Sequence, residues 1–242
     1  MAETTVALVT GANNGTGYEV ARQLAGQGVT VLLGARDHGR GQAAADALRA
    51  EGAAVTFVPL DVTDADSVSA AATAVERAHG RLDILVNNAG ILAESGPAPS
   101  AATPEVLRRT YETNVVGVLA VTNAMLPLLR RSPAARIVNL SSELGSLTLT
   151  TTPGTHYAAY PLVAYNSSKS AVNALTVSYA NELRDTGITV NSVTPGYCAT
   201  DLNGHSGPRS AAEGAAVVVD LAIRPTGAVT GGFFGAEGVL PW

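Results

Sequence analysis

Short apolar runs alternate along this chain with longer Ala-rich stretches. VALV (6–9), TVLL (30–33), VTFV (55–58), ILVN (84–87), RIVNL (136–140), ITVNSV (188–193) and GGFF (231–234) have the length of strands. The stretches 17–27, 40–51, 66–79, 104–131 and 164–185 have the length and composition of helices. The runs are apolar throughout instead of alternating with polar residues, which is what a parallel sheet covered on both faces requires. The pattern therefore predicts an α/β fold, a doubly wound parallel sheet of about seven strands with helices on both faces and ligands at the carboxyl ends of the strands.

Length and composition narrow this picture. A chain of 242 residues suits one large domain, 1–242, with a substantial core. Its formal charge of −5 includes no basic run, which argues against nucleic acid or an acidic membrane surface as partner. The single cysteine, Cys198, leaves no internal disulfide and fits a reducing compartment. The start, MAETTVALVTG, shows no leader, and no later run is read as a membrane span, so the expected location is the cytoplasm. The histidines His38, His79, His156 and His205 show no metal-ligand spacing, and no metal is expected.

Candidate chemistry begins where the first strand runs into TGANNGTGYEV. Gly11, Gly15 and Gly17, with Asn13, Asn14 and Thr16 between them, open a helix after a strand. Glycines there permit a tight turn, close backbone approach to a phosphate and close packing of helix on strand, as in a Rossmann-like dinucleotide site. An acidic residue about 20 positions further on would hold a ribose 2′-hydroxyl. This chain has Arg36 there instead, with Arg40 four residues later, a choice that favours a 2′-phosphate and hence NADP. The alternative is that Arg36 caps a loop and Asp37 takes the ribose, giving NAD or dual use. Asp61 and Val62 in LDVTD, and Asn87, Asn88, Ala89 and Gly90 in NNAG, fall at the next strand ends and extend the rim for a nucleoside.

The stretch AYNSSKS holds the only lysine of the chain, Lys169, although Lys and Arg together number 15. Tyr165 precedes it by four, which puts both on one helix face. A phenol is a poor acid or base near neutrality, and a nearby ammonium together with an oxidised nicotinamide would favour its phenolate. A compact, rotatable ammonium can also serve two hydroxyls, which a planar guanidinium does poorly.

TGANNGTG, DVTD, NNAG, TNVVG, NLSS, YNSSK and VTPGYCAT, in this order, resemble the short-chain dehydrogenase/reductase family. GARDHGRGQAAADALRAEG resembles in particular its NADPH-dependent carbonyl reductases. The resemblance implies a catalytic tetrad of Asn114, Ser142, Tyr165 and Lys169, with Ser141 a competitor for the serine. It also implies cofactor contacts from Pro195, Gly196 and Thr200, beside those from Tyr165 and Lys169. Asn114 would interrupt its helix and hold a water leading to Lys169. The implied reaction is NADPH-dependent reduction of a ketone, aldehyde or quinone carbonyl, with NAD(H) use open. An NAD-dependent alcohol dehydrogenase, a non-catalytic dinucleotide sensor and a non-redox use of the site are the other readings.

Three features depart from the family pattern. Asn14 stands where many NADP-preferring members have a basic residue. The interval from Ser142 to Tyr165 is longer than usual, which predicts a substrate-covering insertion near 143–163 and leans toward a monomer over a homo-oligomer. The loop near 196–210 is short and Gly-rich, which predicts an open pocket. Ser142, Leu144, Tyr157, Tyr160, Tyr197 and Leu202 are the expected substrate contacts, for an apolar or aromatic molecule. Cys198 reads as a packed side chain, and Trp242 as a cover for the pocket, an interface or a core anchor.

Overall fold

The computed structural model describes residues 4–94, 98–225 and 229–242. Seven parallel strands, β1 (Val6–Thr10), β2 (Thr30–Ala35), β3 (Val55–Pro59), β4 (Ile84–Asn87), β5 (Arg136–Leu140), β6 (Thr189–Val193) and β7 (Phe233–Gly235), form the sheet. A short antiparallel strand, β8 (Gly238–Val239), closes its edge, giving the order β3-β2-β1-β4-β5-β6-β7-β8. The order in which strands are added reverses between β1 and β4, which run parallel, and the crevice outside their carboxyl ends opens there.

Strands β1 to β6 each supply two cores. In β1, Ala7 and Val9 face α1 (Gly15–Gly26), α2 (His38–Ala50) and α8 (Ala211–Ile223), packing with Leu24, Leu48 and Val218. Val6 and Leu8 face the opposite layer, with Val75 of α3 (Ala65–His79), Met125 of α5 (Gly117–Leu129) and Tyr179 of α7 (Val163–Glu182). This double burial explains the continuous apolar runs.

Some expectations need correction. The helical stretches read from sequence omit α8, although Ser210 and Glu213 form a capping box at its start. The stretch 104–131 is α4 (Pro104–Tyr111), a π-helical turn Glu112–Val116 and α5, ending at Leu129. Against the expectation that no run approaches a membrane span, Pro104–Leu129 is long and apolar enough to cross one. Its apolar content has another use here: Val118, Val121, Met125, Leu128 and Leu129 are buried in the core.

Candidate active site

The loop from β1 to α1 closes directly on the end of β4. Gly11 has φ +63°, and a Cβ there would lie 2.9 Å from Cα of Ala89. A Cβ on Gly17 would lie 2.6 Å from the Gly11 carbonyl oxygen. Asn88 fastens the two segments. Its backbone N–H donates to Thr10 Oγ1 (3.0 Å) and its Nδ2 donates to the carbonyls of Thr10 (2.8 Å) and Gly11 (3.1 Å). Its side chain thus holds the loop, while the residue still lines the cleft.

That cleft, about 400 Å³, runs along the strand ends from Arg36 and Arg40 to Lys169. Gly11, Asn13, Asn14, Gly15, Thr16, Gly17, Asp61, Val62, Asn88, Ala89, Gly90, Tyr165, Pro195 and Thr200 all line it. Gly196 does not; it lines a neighbouring cavity, because its left-handed turn (φ +78°) carries the chain past the cleft.

At the end of β2 the structure separates the two candidate ribose residues. Asp37 is the N-cap of α2, accepting the Arg40 N–H at 2.9 Å, and this bond holds its carboxyl below the usual range. Arg36 is exposed at the rim, 3.9 Å from Asp61 Oδ2. The capping role belongs to Asp37, not to Arg36. Asp61 accepts from Thr63 N–H and Oγ1 (2.9 and 2.7 Å), so its side chain is already engaged.

The second cavity, about 280 Å³, is lined by Ser142, Leu144, Tyr157, Tyr160, Tyr197 and Leu202, the six residues expected to meet substrate. Segment 143–163 supplies part of its wall as two 3₁₀ turns and α6 (Leu147–Thr151). The carboxyl terminus secures that segment: the Trp242 carbonyl accepts the Thr148 N–H (3.0 Å) while its ring stacks on buried Phe233. Trp242 is therefore an anchor for the insertion.

Tyr165 borders both cavities. Lys169 lies below it, Nζ 5.6 Å from the ring centroid, and donates to the Leu140 carbonyl (2.8 Å). The two serines differ sharply. Ser141 is buried with its hydroxyl on the Lys169 carbonyl (3.3 Å), whereas Ser142 Oγ accepts the Leu144 N–H (3.2 Å) and lies beside the Tyr165 phenol. Asn114 sits in the π-helical turn, fully buried, where local helical bonding is interrupted. Its amide exchanges bonds with Ile91, accepting from N–H (2.8 Å) and donating to the carbonyl (3.0 Å), and also donates to Ser168 Oγ (3.0 Å). A Cβ on Gly90 would lie 3.4 Å from Asn114 Oδ1 and 3.5 Å from Lys169 Nζ, so a bare glycine keeps the space between them open.

Burial dominates the electrostatics. It pushes Lys169 down to about 8 and Tyr165 up to about 12, the Tyr165 shift being opposed by Ser142 and reinforced by the charge of Glu143. The lowering expected from the ammonium acting with an oxidised nicotinamide is a property of the complex; within the chain itself, burial raises the phenol. Thr200, expected to meet cofactor, uses its hydroxyl in a capping box with Asn203. Cys198 is buried with its thiol on the Pro195 carbonyl (3.3 Å), and burial raises its pKa, as an inert packed thiol requires. Among the described residues, no group of three or more His, Cys, Asp or Glu could hold a metal.

Three acidic residues escape sequence reasoning. Glu94 accepts the N–H groups of Ala164 (2.9 Å) and Tyr165 (2.8 Å), capping α7 from a loop 70 residues away. Asp201 accepts from Asn14 Nδ2 (2.6 Å), joining the substrate loop to the glycine loop. Glu143 lines the second cavity. No local motif marks any of them; only their position after NNAG, VTPGYCAT and NLSS hinted at proximity.

Fold and site together define a dinucleotide-dependent oxidoreductase architecture. The family model for short chain dehydrogenase matches residues 5–211, and the chain belongs to that family. It is 40% identical to the short-chain dehydrogenase anuI of Penicillium roqueforti over 223 residues, covering 90% of this chain and 88% of the relative. It is 35% identical to NADPH carbonyl reductase 1 of Sus scrofa, with 93% and 89% covered. The NADPH-bound carbonyl reductase from chicken fatty liver superposes with a TM-score of 0.87 at 28% identity, covering 99% of this chain and all (100%) of the other.

Proposed function

We propose that this protein is an NADPH-dependent reductase that converts a ketone, aldehyde or quinone carbonyl to an alcohol. The observation that carries the reading is Tyr165 at the junction of two cavities, one sized and lined for a dinucleotide, with Lys169 and Ser142 on either side of its phenol.

The cleft fits the cofactor on the structure's own terms. A glycine loop without side chains abuts the cleft, two arginines stand at one end, and the space kept open by Gly90 lies at the other. Bound there, NADPH supplies the hydride. Arg36 and Arg40 would hold a 2′-phosphate by charge-assisted hydrogen bonds, Arg40 exchanging its ion pair with Asp37 (3.3 Å) for the phosphate. Lys169 Nζ would serve the nicotinamide ribose.

The remaining chemistry belongs to the chain. Ser142 Oγ holds the substrate oxygen as negative charge develops on it. Tyr165 Oη, kept protonated by its raised pKa, donates the proton to that oxygen. Lys169 stabilises the phenolate left behind, and the buried polar chain of Asn114, Ile91 and Ser168 fixes the π-helical turn beside it as a route for proton return. The single buried cysteine is consistent with work in a reducing compartment such as the cytoplasm. The test is oxidation of NADPH and NADH against a panel of ketones, aldehydes and quinones. Turnover favouring NADPH is expected; binding of NADPH without turnover in either direction overturns the catalytic reading.

A further inference from the structure

The second cavity contains one fixed charge that the reduction does not require. Glu143 lines it together with Tyr157, Tyr160 and Tyr197, and among the described residues no lysine or arginine lines it. Glu143 Oε2 accepts from Thr194 Oγ1 at 2.7 Å, while Oε1 accepts no hydrogen bond from the described residues. Arg209, within the Gly-rich loop, packs its guanidinium on Gly196 and acts on Cys198, both of which line the cavity, but among the described residues it forms no ion pair with Glu143 and its own side chain lines a separate groove. The carboxylate is thus anchored through one oxygen and offers the other without an ion-pair partner.

We infer that Glu143 and the tyrosines beside it select carbonyl substrates bearing an ammonium group, and reject anionic ones. A carboxylate supplies the opposite charge, and aromatic faces attract a cation through their quadrupole, so the combination suits an organic ammonium better than any neutral donor. The tyrosines are grouped for this purpose: the rings of Tyr160 and Tyr197 meet edge to face with centroids 6.2 Å apart, and Tyr157 packs on His156 at 4.1 Å. Burial raises the Tyr157 and Tyr165 phenols, and the negative charge of Glu143 adds to both. His156 also lines the cavity. The inference rests on the reductase reading and deepens it to a substrate class.

The test uses three ring ketones of similar shape: 4-(dimethylamino)cyclohexanone, 4-isopropylcyclohexanone and 4-oxocyclohexanecarboxylate. In the wild-type enzyme with NADPH at neutral pH, kcat/KM should favour the ammonium ketone over the isopropyl ketone by about 10-fold, with the carboxylate poorest. Glu143→Gln should bring the cation-to-neutral ratio to about 1, and Glu143→Asp should keep most of it. Because the reading is a ratio within each protein, any general loss of activity divides out. A wild-type ratio near 1, or an unchanged ratio in Glu143→Gln, overturns the inference. If no ketone turns over, the reductase reading fails, and quenching of bound NADPH fluorescence by the ammonium and isopropyl compounds decides the selectivity. Tighter ammonium binding that Glu143→Gln abolishes sustains it, and equal binding in both proteins overturns it.

Discussion

The lone lysine shows how far a single residue can be pressed. Lys169 is buried, and its pKa falls from 10.5 to about 8, a burial cost of about 3 kcal/mol while the ammonium stays charged. The unfolded chain binds the proton more tightly, so this cost is fully present below pH 8, fades as pH rises toward 10.5, and is absent above it. Lys169→Met should therefore stabilise the fold by about 2 kcal/mol at pH 7, after about 1 kcal/mol for the lost bond to Leu140. Melting curves at pH 7 and near pH 10.5 should show that gain and its disappearance, while turnover is lost at both. Lys169→Arg should also lose turnover, because a planar fork cannot occupy the small space under Tyr165. Tyr165→Phe should lower kcat by roughly 1,000-fold while the NADPH Kd stays within about 3-fold. At the other end of the cleft, Arg36→Ala should weaken NADPH by about 30-fold and leave NADH nearly unchanged, measured by fluorescence titration.

At the scale of elements, α7 carries both Tyr165 and Lys169, and its start is held by a residue from elsewhere. Leu162 at its N-cap offers no side-chain acceptor, and the carboxylate of Glu94 takes the N–H groups of Ala164 and Tyr165 instead. A carboxylate there also complements the positive end of the helix. Glu94→Ala should cost about 1–2 kcal/mol of stability, as the loss of a cap does. It should also lower kcat about 10-fold with little change in KM for NADPH, because the phenol loses its fixed height above the cleft. Steady-state kinetics beside a melting curve check both. The other end of the catalytic array is held by packing: a Cβ on Gly145 would lie 2.8 Å from Cβ of Lys169, so the loop after Ser142 rests directly on α7.

At the scale of the whole molecule, the sheet is joined across its centre by a buried polar chain. Asn87 Nδ2 donates to Thr122 Oγ1 and Asn139 Oδ1, Asn139 Nδ2 donates to Thr176 Oγ1, and Thr176 pairs with Ser192. Asn87, Asn139 and Ser192 share one register row of β4, β5 and β6, which ties strand ends near the site to α5 and α7. Asn139→Leu leaves partners on both sides short of a bond and should cost about 3 kcal/mol, read by denaturant unfolding. Leu107, Val116 and Leu119 are exposed along α4 and α5. The insertion before Tyr165 favours a monomer all the same, and light scattering should report a single-chain mass; a larger mass would assign that apolar strip to an interface.

Period and order determined the fold from the sequence alone. Largely apolar runs of strand length separated by helices point to strands buried on both faces, and glycines between the first strand and a helix permit close backbone approach, so both sheet and cleft were legible. Residue spacing along one helix likewise placed Tyr165 above Lys169. The acidic residues were not legible, because Glu94, Glu143 and Asp201 act across long separations and carry no local signature. Only the tertiary structure shows which way the side chains face, Ser141 toward the Lys169 carbonyl and Asp37 toward the start of α2. The burial of Tyr165 was likewise not legible, because desolvation is a property of the packed interior and has no counterpart in the order of residues.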